Sequence, residues 1–159
     1  MPIQPTILII EDEAAIREIL HEALHPYGYA VLTAATVQEA EEIRHRLNPE
    51  VIGLVLVDIN LSHIPHRQEG YELFQRWTEA YPTLPFVLMS AAASSLTLPA
   101  VRTNSVRFLA KPFSLHVLLD IVQALLREDT TPRRAAHPDQ GSLGPAPSGH
   151  AAPTGADCP

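Results

Sequence analysis

Leu54-Val55-Leu56-Val57-Asp58-Ile59-Asn60 is the stretch whose reading decides the fold. Its run of branched apolar residues, without the alternation of a half-exposed strand, reads as a strand buried on both faces, as in parallel sheets. The run ends on one acidic side chain. Asp58 would then stand at the carboxyl end of a central strand, the edge where ligands bind in open α/β sheets. An Asp in that place is also a common turn former or helix cap, so its meaning depends on what else the chain brings to the same edge.

Toward the N-terminus, Thr6–Ile10 is a second buried strand pattern that stops at Glu11-Asp12-Glu13, and Ala14–Leu24 carries Ile16, Leu20, Ala23 and Leu24 at helical spacing until Pro26 and Gly28 break it. Tyr29–Thr33 reads as a strand. Thr36 with Glu39 forms a capping-box pattern for a helix to about Leu47, closed by Asn48-Pro49. Beyond Asp58 a polar loop runs through Gly70, and a helix is expected over Tyr71–Tyr81 with Leu73, Phe74 and Trp77 on one face. Phe86–Met89 is a fourth strand ending on Ser90. A fourth helix is expected over Ala91–Val101, truncated or kinked by Pro99. Val106–Leu109 is a fifth strand ending at Ala110-Lys111-Pro112, and Ser114–Arg127 is an amphipathic fifth helix. Strand and helix alternating in this way argue for a parallel sheet with helices on both faces.

Composition bounds the rest. A chain of 159 residues, 46% hydrophobic and 18% charged, accommodates one domain and an extension. We place a folded domain at 1–128. The segment 129–159, rich in Pro, Gly, Ser and Ala with Leu143 as its one large apolar residue, is expected to be a disordered tail. A net charge of -7 offers no basic surface for phosphates, which argues against nucleic acid as a partner. The single cysteine, Cys158, fits a reducing compartment. The N-terminus has no signal-peptide pattern, and no apolar run approaches the ~20 residues of a membrane span. The expectation is a soluble cytoplasmic protein.

Asp12, Asp58, Ser90 and Lys111 each follow a strand, which puts them at one sheet edge. Carboxylates gathered there repel one another unless a cation neutralises them, and a hard divalent ion such as Mg²⁺ suits carboxylate oxygens. With Glu11 and Asp12 helping to hold the metal, Asp58 suits a nucleophile toward a phosphoryl group. The metal, the Lys111 ammonium and the Ser90 hydroxyl would meet the phosphoryl oxygens. Taken singly, Glu11 and Asp12 read as helix N-terminal acids, Lys111 as a surface lysine, Ser90 as a helix cap and Phe108 as a core aromatic. His63 and His66 lie in the loop after Asp58 but lack a second ligand pair, so they read as solvated rather than as zinc ligands.

In combination these residues resemble the receiver domain of response regulators in two-component signalling. The matching pieces are Glu11-Asp12, Asp58, Ser90-Ala91, and Phe108 three residues before Lys111-Pro112, within about Thr6 to Arg127. The resemblance implies a flavodoxin-like (βα)5 doubly wound sheet of five parallel strands, with Mg²⁺ bound by Asp12, Asp58 and the main-chain carbonyl of Asn60. It implies that Asp58 accepts a phosphoryl group from a sensor histidine kinase or histidine phosphotransfer protein, and that Ser90 and Phe108 form the switch pair. The protein would then be a phosphorelay switch rather than an enzyme, catalysing only its own phosphorylation and dephosphorylation.

The sequence departs from that family in two places. The loop Ile59–Glu69 is longer than usual, with Leu61-Ser62 where Met-Pro is expected and Glu69-Gly70 for Asp-Gly; it reads as a mobile surface loop, with an approach of Arg67 to the phosphoryl group as the lesser alternative. No output domain is legible after the last helix, so a single-domain receiver is expected to act by protein contact on an effector. That contact would use the face of the fourth helix, fifth strand and fifth helix, or a homodimer. The alternative is a receiver-fold binding module that works independently of phosphorylation. A flavin carrier of the same topology is disfavoured, because Glu11-Asp12-Glu13 would repel a flavin phosphate.

Overall fold

The structure, a computed structural model, describes residues 5–62, 67–91 and 105–128. The helix expected over Ala91–Val101, the loop histidines His63 and His66 and the tail 129–159 fall on or run into residues outside those described.

The described elements run β1 (Thr6–Ile10), α1 (Ala14–Leu24), β2 (Ala30–Ala34), α2 (Val37–Arg46), β3 (Ile52–Asp58), α3 (Glu69–Ala80), β4 (Phe86–Ser90), β5 (Val106–Ala110) and α4 (Leu115–Glu128). The five strands form one sheet in the order β2-β1-β3-β4-β5, and every neighbouring pair is parallel. This is the doubly wound, flavodoxin-like order, with β3 at its centre. It is the architecture expected from the sequence.

The centre of the sheet is buried on both sides because its side chains alternate between two cores. Leu8, Ile10, Val55, Val57, Phe86 and Leu88 pack with Leu73, Phe74 and Trp77 of α3 on one face. On the other face Ile7, Ile9, Leu54, Leu56, Val87 and Met89 meet Leu20 and Leu24 of α1 and Leu118, Val122 and Leu125 of α4. Burial of each such side chain is worth roughly 1.5–3 kcal/mol, so this pattern fixes which face of the sheet each side chain of β3 takes. Phe74 and Phe86 meet edge to face with centroids 5.1 Å apart. Glu41 of α2 ties α2 to α3, accepting from Trp77 Nε1 at 3.0 Å and Arg76 at 3.1 Å.

Local boundaries follow local chemistry. Gly28 has φ 84° and ends the short turn His25–Tyr27. The second strand therefore begins at Ala30, one residue after the expected Tyr29. Thr36 caps α2 by accepting from the Glu39 N–H at 3.1 Å, and the Glu39 carboxylate accepts in return from the Ala35 N–H at 2.7 Å. The third helix starts at Glu69 rather than Tyr71, for a reason that belongs to the site.

Candidate functional site

The pairing register sets out the site before any side chain is considered. Ile10 of β1 lies opposite Val57 of β3, so Glu11 and Asp58 leave the sheet side by side. Ser90 of β4 lies opposite Ala110 of β5, and the Lys111 N–H donates to the Ser90 carbonyl at 2.9 Å. Carboxylate oxygens of Glu11, Asp12 and Asp58 come within 4.8 Å of one another. Among the described residues, they form the one group of three or more His, Cys, Asp and Glu side chains that could hold a metal ion.

Lys111 bridges two members of the group. Its Nζ donates to Glu11 Oε2 at 2.7 Å and to Asp58 Oδ2 at 2.5 Å. Glu11 is 1% exposed and Asp58 7%. Burial pulls the lysine toward its neutral form, but the two carboxylates outweigh it and hold the ammonium above its ordinary value. Glu11 is pushed up, first by burial and also by the nearby Asp58 charge, against the stabilising pull of Lys111. The cluster thus holds three carboxylates, and one ammonium bridges two of them. The remaining negative charge and the all-oxygen donor set fit a hard divalent cation such as Mg²⁺.

The loop after β3 turns back on Asp58. Asp58 Oδ1 accepts from the Asn60 N–H at 2.9 Å, a local turn that orients the carboxylate. Gly70, in the first turn of α3, donates its N–H to the Ile59 carbonyl at 3.1 Å. A Cβ at Gly70 would lie 1.8 Å from the Asp58 carbonyl oxygen. Only glycine lets α3 begin so close to the strand end, and this contact starts the helix at Glu69. Arg67 is paired with Glu69 at 3.0 Å and is largely exposed.

Ser90 is 3% exposed at the end of β4, at the same edge as Asp58. Phe108, on edge strand β5, is 48% exposed, which corrects the bland reading of it as a core aromatic. The Lys111–Pro112 peptide is cis. One contact was missed from the sequence: Arg17 of α1 donates through Nη1 to the carbonyl oxygens of Glu11, at 2.7 Å, and Asp12, at 3.2 Å. An arginine on a helix reads as a surface residue, and nothing in its spacing signals a backbone target.

Comparison with known proteins agrees with the fold. The model of the family described as response regulator receiver domain matches residues 7–123. The chain belongs to the response regulator receiver family. It is 31% identical over 117 residues to response regulator protein FleR of Pseudomonas aeruginosa, covering 73% of this chain and 23% of that protein. It is 33% identical over 126 residues to sensor kinase CckA of Brucella abortus, covering 77% of this chain and 13% of that one. The chain therefore spans less than a quarter of either curated relative. Among solved structures, a response regulator from Thermotoga maritima superposes with a TM-score of 0.65 at 26% identity, over 78% of this chain and 98% of that one. The receiver family acts as a signalling switch. Among the described residues no helix is long and apolar enough to cross a membrane.

Proposed function

We propose that this receiver accepts a phosphoryl group on Asp58 from a histidine kinase or histidine phosphotransfer protein, in a Mg²⁺-dependent reaction in the cytoplasm, and signals to a protein effector by contact. The observation that carries this reading is the cluster of the Glu11, Asp12 and Asp58 carboxylates at the carboxyl edge of the sheet, with the Lys111 ammonium bridging Glu11 and Asp58. Asp12, Asp58 and the Asn60 carbonyl would hold the metal, with Glu11 beside them, and a bound Mg²⁺ would supply neutralisation of the phosphoryl oxygens.

The chain's own residues supply the rest. The Asn60 N–H and Lys111 hold the two Asp58 oxygens in fixed directions, so the carboxylate is oriented before a donor arrives. An Asp58 oxygen attacks the phosphorus as the bond to the donor nitrogen breaks, leaving an aspartyl phosphate. Lys111 then turns its charge from the carboxylate to the phosphoryl oxygens. Beside Lys111 an apolar hollow of about 400 Å³, lined by Ile16, Ile19, Leu20, Phe113 and Leu115, gives a donor protein surface on which to rest.

Ser90 and Phe108 are assigned as the switch pair. The Ser90 hydroxyl moves to the phosphoryl group, and the ring of Phe108, half exposed on β5, turns inward to fill the space released. The phosphorylation-independent alternative has no observation in its favour, because the whole acidic set and its lysine are present and in contact.

The test is incubation with Mg²⁺ and acetyl phosphate followed by intact-mass measurement of wild type and Asp58→Asn. A single phosphoryl gain that requires Mg²⁺ and is lost in the variant is expected. No adduct in the wild type, or an equal adduct in the variant, would refute the proposal.

A further inference from the structure

We propose that Arg17 is a positioning residue of the cation site, clamping the two peptide planes that flank Asp12 so that its carboxylate stays aimed at Asp58. This inference rests on the reading of Glu11, Asp12 and Asp58 as a Mg²⁺ site. The two carbonyls that Arg17 Nη1 reaches, Glu11 at 2.7 Å and Asp12 at 3.2 Å, belong to the peptide units before and after the Asp12 Cα. Holding both planes holds the two backbone dihedrals of that residue, and with them the direction of its Cβ. Arg17 is itself seated by its own N–H, which donates to the Glu13 carbonyl at 3.0 Å in the first turn of α1. The helix therefore carries a fixed charge-assisted donor back to the strand end. Glu11 strengthens the turn by accepting from the Glu13 N–H at 3.3 Å.

Two effects of the guanidinium oppose each other, and their difference makes the role measurable. As a positive charge near the site it disfavours a bound cation. As a clamp it favours one, because it prevents Asp12 from sampling directions in which it ligates nothing. Partners that orient a ligand commonly contribute 10- to 100-fold in metal affinity, so the clamp is expected to win.

The experiment is calorimetric titration of the full chain with Mg²⁺, without any phosphodonor, comparing wild type, Arg17→Ala, Arg17→Gln and Arg17→Lys. Thermal melting in EDTA checks that each variant is folded. The expected result is about tenfold weaker Mg²⁺ binding for Arg17→Ala, with much of the loss recovered by Arg17→Lys, which keeps a charged donor of nearly the same reach. Arg17→Gln, which keeps a donor without the charge, is expected to fall between them and serves in place of Arg17→Ala should that variant not fold. Folded Arg17→Ala or Arg17→Gln that binds Mg²⁺ as tightly as wild type, or more tightly, overturns the role of Arg17 and leaves the metal site standing. Failure of the wild type itself to bind Mg²⁺ overturns the site reading and this inference together.

Discussion

Gly70→Ala is the substitution on which the geometry around Asp58 makes its sharpest demand. The new Cβ would stand 1.8 Å from the Asp58 carbonyl oxygen, 2.9 Å from its carbon and 3.1 Å from Val57 Cγ2. The first two obstacles are backbone atoms of the central strand, so α3 must retreat by more than ~1 Å, the shortfall from an ordinary contact. Such overpacking costs about 1–3 kcal/mol. The Gly70 N–H bond to the Ile59 carbonyl is stretched as well, worth roughly another 1 kcal/mol. Against this, alanine gains at most about 1 kcal/mol of helix propensity over glycine. The net expectation is a loss of roughly 1–3 kcal/mol. Urea unfolding followed by the fluorescence of Trp77, the only tryptophan in the chain and 3% exposed on α3, measures it directly. Because the displaced atom is the carbonyl of the acceptor residue, Mg²⁺-dependent labelling should also slow, by about 10²-fold for a misplacement of ~1 Å. A Gly70→Ala protein as stable as wild type, or more stable, would refute the steric account.

Three further outcomes follow from the same contacts. Lys111→Met leaves buried carboxylates uncompensated and should cost about 2–4 kcal/mol in the absence of divalent ions, with Mg²⁺ restoring a large part of it in thermal melts. The pH dependence carries a definite sign in each partner. Lys111 has a folded pKa above its unfolded one, so its stabilisation is complete below the ordinary lysine range and is lost as pH rises through the folded value. Wild type should therefore lose more stability in strong alkali than Lys111→Met. Glu11 is also raised, so the folded protein favours its protonated form, and wild type should gain stability relative to Glu11→Gln as pH falls through the carboxylate range. Denaturant titrations across pH would read both, and a flat difference would count against the stated causes. Thr36→Ala removes the cap of α2 and should cost about 1 kcal/mol with no effect on labelling at Asp58.

Most of the fold was legible in the sequence because burial here has a simple period. Thr6–Ile10 and Ala14–Leu24 appear in the structure with the bounds read from their apolar patterns. The unalternating run before Asp58 became the central strand because helices cover both sides of the sheet. Misplaced boundaries had local causes. β2 is delayed past the left-handed Gly28, and α3 is advanced by the Gly70 contact, whose origin lies in a neighbouring strand end and has no periodic signature. Phe108 looked like a core residue because strand propensity does not distinguish an edge strand from a central one.

Within the candidate site, Glu11, Asp12, Asp58, Ser90 and Lys111 could be grouped from sequence, since each follows a strand and parallel strands end together. Which atoms meet was not legible. The division of Lys111 between Glu11 and Asp58 depends on side-chain reach across the sheet, and Arg17 acts on backbone carbonyls that no residue pattern reveals. The pairing of Arg67 with Glu69 likewise depends on how the loop enters α3.

The central claim is that Asp58 itself receives the phosphoryl group. Phosphorylated protein, prepared with Mg²⁺ and acetyl phosphate, can be reduced with borohydride, which converts an aspartyl phosphate to homoserine, and then mapped by peptide mass spectrometry. Homoserine at position 58, with Glu11 and Asp12 unchanged, is the expected result. Homoserine at Asp12 or hydroxynorvaline at Glu11 instead, or no reduced residue in a sample that carries phosphate, would contradict it.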